Sequence, residues 1–451
     1  MPLLVPSNEI IFHHASKYIL TVVFIAGSWL LFWKISAILG DPVIDEIFHL
    51  RQCQKYCQYK FKEWDNKITT PPGLYVLGFL YSKFLGIFFD YDVCGNYNML
   101  RSLNLVGGTI VLPMILNKVS LSFFWPINIA AQPLLFTFFY LFYTDVWSTI
   151  LVVGSLVVVL QNSLHSTFRY CLSGFVGFLS LWLRQTNIAW LGFVFSVAID
   201  HTVTDQKVFE KAFKILKILP KNWKICLPYS LNFLAFVIFL KLNGGITFGD
   251  KENHQINLHL VQIFYCFTFV TFFTWPTWIS RKTLRAYSNF CFSSTINLVL
   301  NCFAGAFIKL IVDKFTIIHP FLLADNRHFT FYIFKRIISH RYSNVISIPV
   351  YHFSVWLVSH MLYKSKRLKE IPVICYFIAS CLTLIPSPLF EPRYYIVPLV
   401  FFRIFIKPVN NRRHILEFLW LSSVNIITMG IFINYEFTWP SEPNVIQRII
   451  W

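Results

Sequence analysis

Asp45, Glu46 and His49 stand together directly after a long apolar run, and such a cluster is a place where a proton can be moved. Of two adjacent carboxylates, one can face a reacting hydroxyl while the other orients it, and partial desolvation at a bilayer edge raises a carboxylate's basicity. The same residues also fit a solvated first helical turn, with Asp41 or Asp45 capping a helix that begins near Glu46. Farther along the same loop, Glu63, Trp64, Asp65, Lys67, Thr69 and Thr70 run into Pro71 and Pro72. A Trp between carboxylates suits a sugar, because the ring covers the C–H face while the acids accept from hydroxyls. The other reading is an interfacial Trp anchor ahead of a Pro-Pro helix start.

Cations gather in further polar islands: Asp250, Lys251, His254 and His259 after Gly249; His319 with Asp325, Asn326, Arg327 and His328; Glu391, Arg393 and Tyr394 in EPRYY; and Arg184, Gln185 and Asn187 in LRQTN. Guanidinium and ammonium groups there could hold a phosphate, although a cation beside a helix end is commonly a snorkelling or loop residue. The histidines are too scattered to argue for a metal site. Cys53 and Cys57, four apart, are read as unpaired, since disulfide geometry within one helical turn is poor. GxGxxG, Walker A, HExxH and GxSxG elements are absent, which leaves nucleotide-driven transport and the common hydrolases without support. A sugar-handling protein without a nucleotide-binding fold points to a donor carried by a lipid.

The elements that must position these residues are membrane helices. Of the 451 residues, 56% are hydrophobic, 19% aromatic and only 13% charged, against about 25% charged in soluble domains; the mean hydropathy is +0.57. A water-soluble globule is excluded. The run 18–39 is long enough for a ~30 Å hydrocarbon core and too long for the apolar core of a cleaved signal peptide. After the polar loop 40–72, apolar blocks follow at 73–89, 99–117, 123–142, 145–161, 170–183, 186–199, 225–242, 259–279, 292–318, 344–362, 371–389, 394–406 and 415–433. They predict an all-α polytopic protein with about 12 or 13 crossings, helices being the only spanning element with internally satisfied backbones when no alternating barrel pattern is present.

The formal charge of +18 is concentrated in loops at Lys207–Lys224, Arg281–Arg285, Lys364–Lys369 and Lys407–Arg413. That is the pattern of cytoplasmic loops, and no nucleic-acid-binding motif accompanies it. The islands at 244–258, 319–330 and 391–395 and the tail after Asn434 then fall on the opposite side, with the 40–72 loop. Six crossings between residues 73 and 199 would put the Lys207–Lys224 loop on the wrong side, so one block must be re-entrant or lie along the surface. The segment 331–342, with Lys335, Arg336 and Arg341, suits an interfacial helix.

The runs DEIFHLRQCQKY, EWDNKITTPPGLY, LRQTNIAW, GDKENHQINLHLVQ, HPFLLADNRHFTFYIFKR and EPRYYIVP, in this order over residues 40–400, closely resemble the endoplasmic-reticulum family of dolichyl-phosphate-glucose-dependent α-1,2-glucosyltransferases. That resemblance implies a GT-C bundle with a catalytic first lumenal loop. Residues 1–200 would form the catalytic module, and 201–451 a variable module binding donor lipid and acceptor. It implies two partners besides the bilayer: dolichyl phosphate glucose and a dolichyl-diphosphate-linked oligosaccharide. It also implies an inverting single displacement without metal, with Asp45, or else Glu46, as base. Arg327, His328, Arg393 and Lys251 would stabilise the departing phosphate. Trp64, Asp65 and Lys67 would hold sugars, and Arg184, Gln185 and Asn187 would line the site. A sister enzyme using a mannose donor and a polytopic transporter are the alternatives.

Overall fold

The computed structural model describes residues 7–90, 92–120, 123–200, 219–252, 255–408, 410 and 412–451. The basic stretch 201–218 and His254 lie outside the described residues. The architecture is a helical bundle with one small antiparallel hairpin near residue 440. Among the described residues, six helices are long and apolar enough to cross a membrane: Ala15–Ile38, Tyr97–Asn117, Pro220–Asn243, Thr295–Phe315, Ser343–Ser365 and Arg412–Asn434. Five shorter apolar helices accompany them: Gly73–Leu85, Asp145–Leu160, Asn187–Asp200, Gln262–Phe273 and Glu370–Leu384. Length alone therefore returns fewer spans than the sequence blocks. Phe303 is 69% exposed and Ile426 73%, an outward apolar surface that belongs against lipid.

The shortfall has local causes. The block 123–142 is broken into Pro126–Ala130, Pro133–Phe136 and a 3-10 turn Thr137–Tyr140, with Pro126 and Pro133 each opening a new helix. Proline lacks the N–H that an uninterrupted helix needs there. Every residue of this broken path from Phe124 to Tyr140 is buried, so neighbouring helices, not lipid, surround its irregular backbone.

The first helices frame the polar loop. We label α1 (Ser7–Ile38), α2 (Glu46–Cys57), α3 (Gly73–Leu85) and α4 (Tyr97–Val106). Helix α3 does not traverse the bundle. Its first amide donates to the Trp182 carbonyl at 2.8 Å, Tyr81 near its far end meets Ser102 at 2.8 Å, and a Cys57–Cys94 disulfide ties the end of α2 to the turn beyond α3. Cys53 and Cys57 of α2 meet the Tyr75 carbonyl and Ser82 Oγ of α3, so both ends of α3 stay with α2. The disulfide corrects the reading of Cys57 as unpaired: its partner is 37 residues away, out of sight of an argument about i,i+4 spacing, whereas Cys53 is free and buried.

With α3 set aside, the parity closes. Lys17 meets Asn117 at 3.2 Å, so the end of the Tyr97–Asn117 helix returns to the N-terminal end of α1. The buried Arg403 holds the Phe123 carbonyl at 3.2 Å and pairs with Glu417 on that same face. Tyr143 reaches the Val43 carbonyl at 3.2 Å, back beside the polar loop. Segment 331–342 forms a helix Phe329–Ile333 continued by a π-turn Phe334–Ile338, with Lys335, Arg336 and Arg341 exposed.

The chain ends in a hairpin of β1 (Glu436–Trp439) and β2 (Glu442–Arg448), paired Glu436 to Arg448 and Trp439 to Glu442 with a bulge between Phe437 and Trp439. Residues beyond it pair with the 327–329 segment: the Phe329 amide donates to the Ile450 carbonyl at 2.9 Å, and the Ile450 amide to the Arg327 carbonyl at 2.8 Å.

Candidate active site

The turn that presents Asp45 is strained and firmly held. Ile44 has φ +53°, a left-handed conformation that is costly for a β-branched residue and persists only where the surroundings over-determine it. The restraint comes from Glu46. Its carboxylate receives the Arg101 Nε and Nη2 donors at 2.9 and 2.7 Å, the Phe142 amide at 2.7 Å and the Val43 amide at 3.0 Å. Both members of the pair are fully buried, and Arg101 further bonds the carbonyls of Leu39 and Asp41. Glu46 is thereby occupied on both oxygens and turned away from solvent, while Asp45 keeps half of its side chain exposed.

Asp45 opens into a cavity of about 670 Å³ whose wall includes Tyr143, Asp325, His328, Glu391, Arg393 and Trp439. Arg393 Nη2 lies 3.8 Å from Asp45 Oδ2, and its Nε bonds Glu391 at 2.5 Å. Burial works against the Arg393 guanidinium, but Glu391, Tyr394, Asp45 and Asp145 around it hold its pKa well above the ordinary value. Burial likewise pushes the Glu391 carboxyl up, and Arg393 outweighs it, leaving the group more acidic than usual. Arg327 clamps Asp325 with two bonds of 2.9 and 2.7 Å, which with His328 overcomes burial and lowers the Asp325 pKa. His49 is not a cation here. Burial, then the fields of Arg393 and Arg184, drive its pKa down to about 3, and its Nδ1 meets the Tyr75 hydroxyl at 2.8 Å.

Behind Arg393 lies a second cavity of about 210 Å³, lined by Thr69, Asp145, Arg184, Gln185, Asn187 and Tyr394. Arg184 pairs with the buried Asp145 at 2.8 Å. Gln185 donates to the carbonyls of Thr69 and Ile246 at 3.0 and 2.9 Å, and Asn187 to Ser148 Oγ and the Ser180 carbonyl at 2.8 and 3.0 Å. The Tyr394 ring sits between the guanidiniums of Arg184 and Arg393, at 5.5 and 5.8 Å.

Several other sequence candidates line neither cavity. Trp64 is packed against Tyr75 and Phe248, at 5.7 and 5.6 Å between ring centroids. Glu63 faces Lys55 at 3.7 Å. Asp65 accepts from the Lys67 amide at 2.9 Å, and Lys67 rests over Phe48. The Asp250 amide bonds the Asn66 carbonyl at 2.8 Å, and Lys251 donates to the Asn243 carbonyl. Gly249 abuts the Asn66 backbone so closely that a Cβ would collide. These residues lock the loop after α2 to the 244–252 loop. Asn326 faces the hairpin, accepting from the Trp439 indole at 2.7 Å. The Sγ atoms of Cys53, Cys57 and Cys94 lie within 4.8 Å of one another, but two of them form the disulfide.

Sequence reasoning passed over Arg101, Tyr143, Asp145 and Trp439. The first and third carried a signal: each is a lone charge in or at the start of an apolar block, a position that is costly unless the group has a partner. Tyr143 and Trp439 carried none.

Fold and cavity define a polytopic membrane protein with a cavity lined by carboxylates and cations. A model of the DIE2/ALG10 family matches residues 39–404, and the chain belongs to that family. It is 48% identical to a Candida albicans protein named Dol-P-Glc:Glc(2)Man(9)GlcNAc(2)-PP-Dol alpha-1,2-glucosyltransferase, over 97% of this chain and 100% of the relative. A Homo sapiens protein of the same name is 34% identical over 94% of this chain and 96% of its own length. Among solved structures, an Archaeoglobus fulgidus oligosaccharyltransferase matches 86% of this chain and 56% of that one at 12% identity, with a TM-score of 0.28, too low to carry an argument.

Proposed function

We infer that this chain transfers glucose from dolichyl phosphate glucose to the diglucosylated dolichyl-diphosphate-linked high-mannose oligosaccharide, forming the terminal α-1,2-linked glucose. The observation that carries this reading is the contrast between Asp45, half exposed in the cavity beside Arg393, and Glu46, buried on Arg101. One carboxylate is free to act, which is what an inverting displacement requires. Asp45 takes the proton from the acceptor 2-hydroxyl as that oxygen bonds the anomeric carbon, and the bond from that carbon to the phosphate oxygen breaks on the opposite face. The electron pair leaves with dolichyl phosphate. Arg393, and His328 when protonated, meet the growing phosphate charge; Arg327 acts from behind by holding Asp325. In this reading the cations supply what a metal otherwise would, and no cofactor enters.

A groove of about 540 Å³ lined by Phe269, Val312, Ile337, Tyr351 and Phe390, with Arg336 and His340 also lining it, suits the isoprenoid of the donor. Phe390 belongs to its wall and to that of the catalytic cavity. Residues 1–200 supply the base and its clamp, and residues 201–451 the phosphate cations and the lipid groove. The reading places the site in the endoplasmic-reticulum lumen. Purified protein given labelled donor and lipid-linked acceptor tests it: transfer of labelled glucose to the acceptor is the expected result, and donor consumption without glycosylated acceptor refutes it.

A further inference from the structure

The hairpin β1–β2 lies beyond residue 404, where the matched family span ends, yet Trp439, Pro440, Ser441, Ile450 and Trp451 all line the cavity that holds Asp45. Its base is anchored as a structural part of the bundle. Arg448 donates to the Phe432 and Ile433 carbonyls at 2.9 and 2.7 Å and pairs with Glu436. Ile449 and Ile450 are buried, and the Trp451 ring nests against Phe329, Phe269 and Phe273 at 4.8, 6.0 and 6.1 Å. The tip is different: Pro440, Ser441 and Glu442 are exposed.

Trp439 sits where the anchored and exposed parts meet. Arg327 lies over its ring, 4.6 Å from the centroid, and the indole N–H is committed to Asn326. Both contacts fix the plane of the ring, and the ring lines the cavity. An immobilised indole in a cavity whose other functional groups are carboxylates and cations is the usual partner for the C–H face of a pyranose, since one side of a sugar is apolar and its rim is hydroxylated.

We propose that the hairpin is the acceptor-reading wall of the site, with Trp439 stacking on the sugar that precedes the acceptor's terminal glucose while Asp45 engages the terminal 2-hydroxyl. This assignment rests on the glucosyl-transfer reading for the identity of the acceptor. It gives the enzyme a means of choosing an acceptor already carrying two glucoses: in a monoglucosylated branch the sugar before the terminal glucose is a mannose, whose axial 2-hydroxyl interrupts one C–H face and stacks poorly on the indole. The donor approaches through the lipid groove and does not use this wall.

Equilibrium binding to full-length protein in lipid nanodiscs tests the proposal, with diglucosylated and monoglucosylated lipid-linked oligosaccharides and with dolichyl phosphate glucose as separate probes. Trp439→Ala should weaken Kd for the diglucosylated acceptor about tenfold, with Trp439→Phe restoring most of it, and should leave the donor Kd and the monoglucosylated acceptor Kd unchanged. Ser441→Trp, which crowds the tip, should weaken the diglucosylated acceptor in the same selective way and serves if Trp439→Ala does not accumulate. Equal weakening of donor and acceptor by Trp439→Ala, as expected if the ring only props Arg327, overturns the proposal, as does an unchanged acceptor Kd in either variant. Because binding is read without turnover, wild-type protein that binds the acceptor selectively but transfers no glucose refutes the transfer reading and not the subsite.

Discussion

Glu46 accepts two bonds from Arg101 and one each from the Phe142 and Val43 amides, whereas Asp45, one residue earlier, leaves its side chain half exposed. Glu46→Gln should therefore act on stability. It strands the Arg101 charge in a buried site, at a cost of about 3–5 kcal/mol, so the variant should show a markedly lower unfolding temperature in detergent; an unshifted transition would contradict the clamp. His49 supplies a pH signature. Its pKa is lowered from 6.5 to about 3 in the folded chain, so between those values the unfolded chain binds a proton that the folded chain refuses. The stabilisation is complete above about pH 6.5 and is lost as pH falls, by up to about 1.4 kcal/mol per pH unit. His49→Gln should flatten that part of a stability-versus-pH curve, and an equally steep curve in the variant would count against a buried neutral His49. The acid pair was legible in the sequence as a candidate site, but the different surroundings of its two carboxylates were not. What separates the two residues is Arg101, 55 positions away, together with a strained Ile44 that no composition reveals.

Helix α3 illustrates what composition hides at the scale of elements. Its 13 residues are as apolar as a crossing segment, yet at 1.5 Å per residue they extend only about 20 Å, and contacts at both ends keep it beside α2. The Cys57–Cys94 bond fixes that arrangement. Cys57→Ser should cost about 2–4 kcal/mol, seen as a lower unfolding temperature in detergent and faster proteolysis between residues 58 and 96; wild-type behaviour in both would show the bond to be dispensable. The broken path through Pro126 and Pro133 was legible as an apolar block, but its irregularity follows from the neighbours that bury it. The hairpin was the least visible element. Its strands are short and polar, and its importance comes from packing Trp439 and Trp451 against segments more than a hundred residues earlier.

At the scale of the whole molecule, charge alone predicts that basic loops and polar islands lie on opposite sides, and the structure gathers residues 45, 325, 328, 391 and 393 around one cavity. Cysteines introduced at Lys62 and Glu252 should react with an impermeant thiol reagent only when the lumenal side of sealed microsomes is opened, and cysteines at Lys366 and Arg412 without opening; the reverse pattern would invert the topology. The catalytic assignment is tested most directly by Asp45→Asn, made in purified protein and assayed with labelled dolichyl phosphate glucose and the lipid-linked acceptor. The account predicts that this variant unfolds at the wild-type temperature and transfers glucose at least about a hundredfold more slowly. Transfer at a rate close to wild type would contradict it.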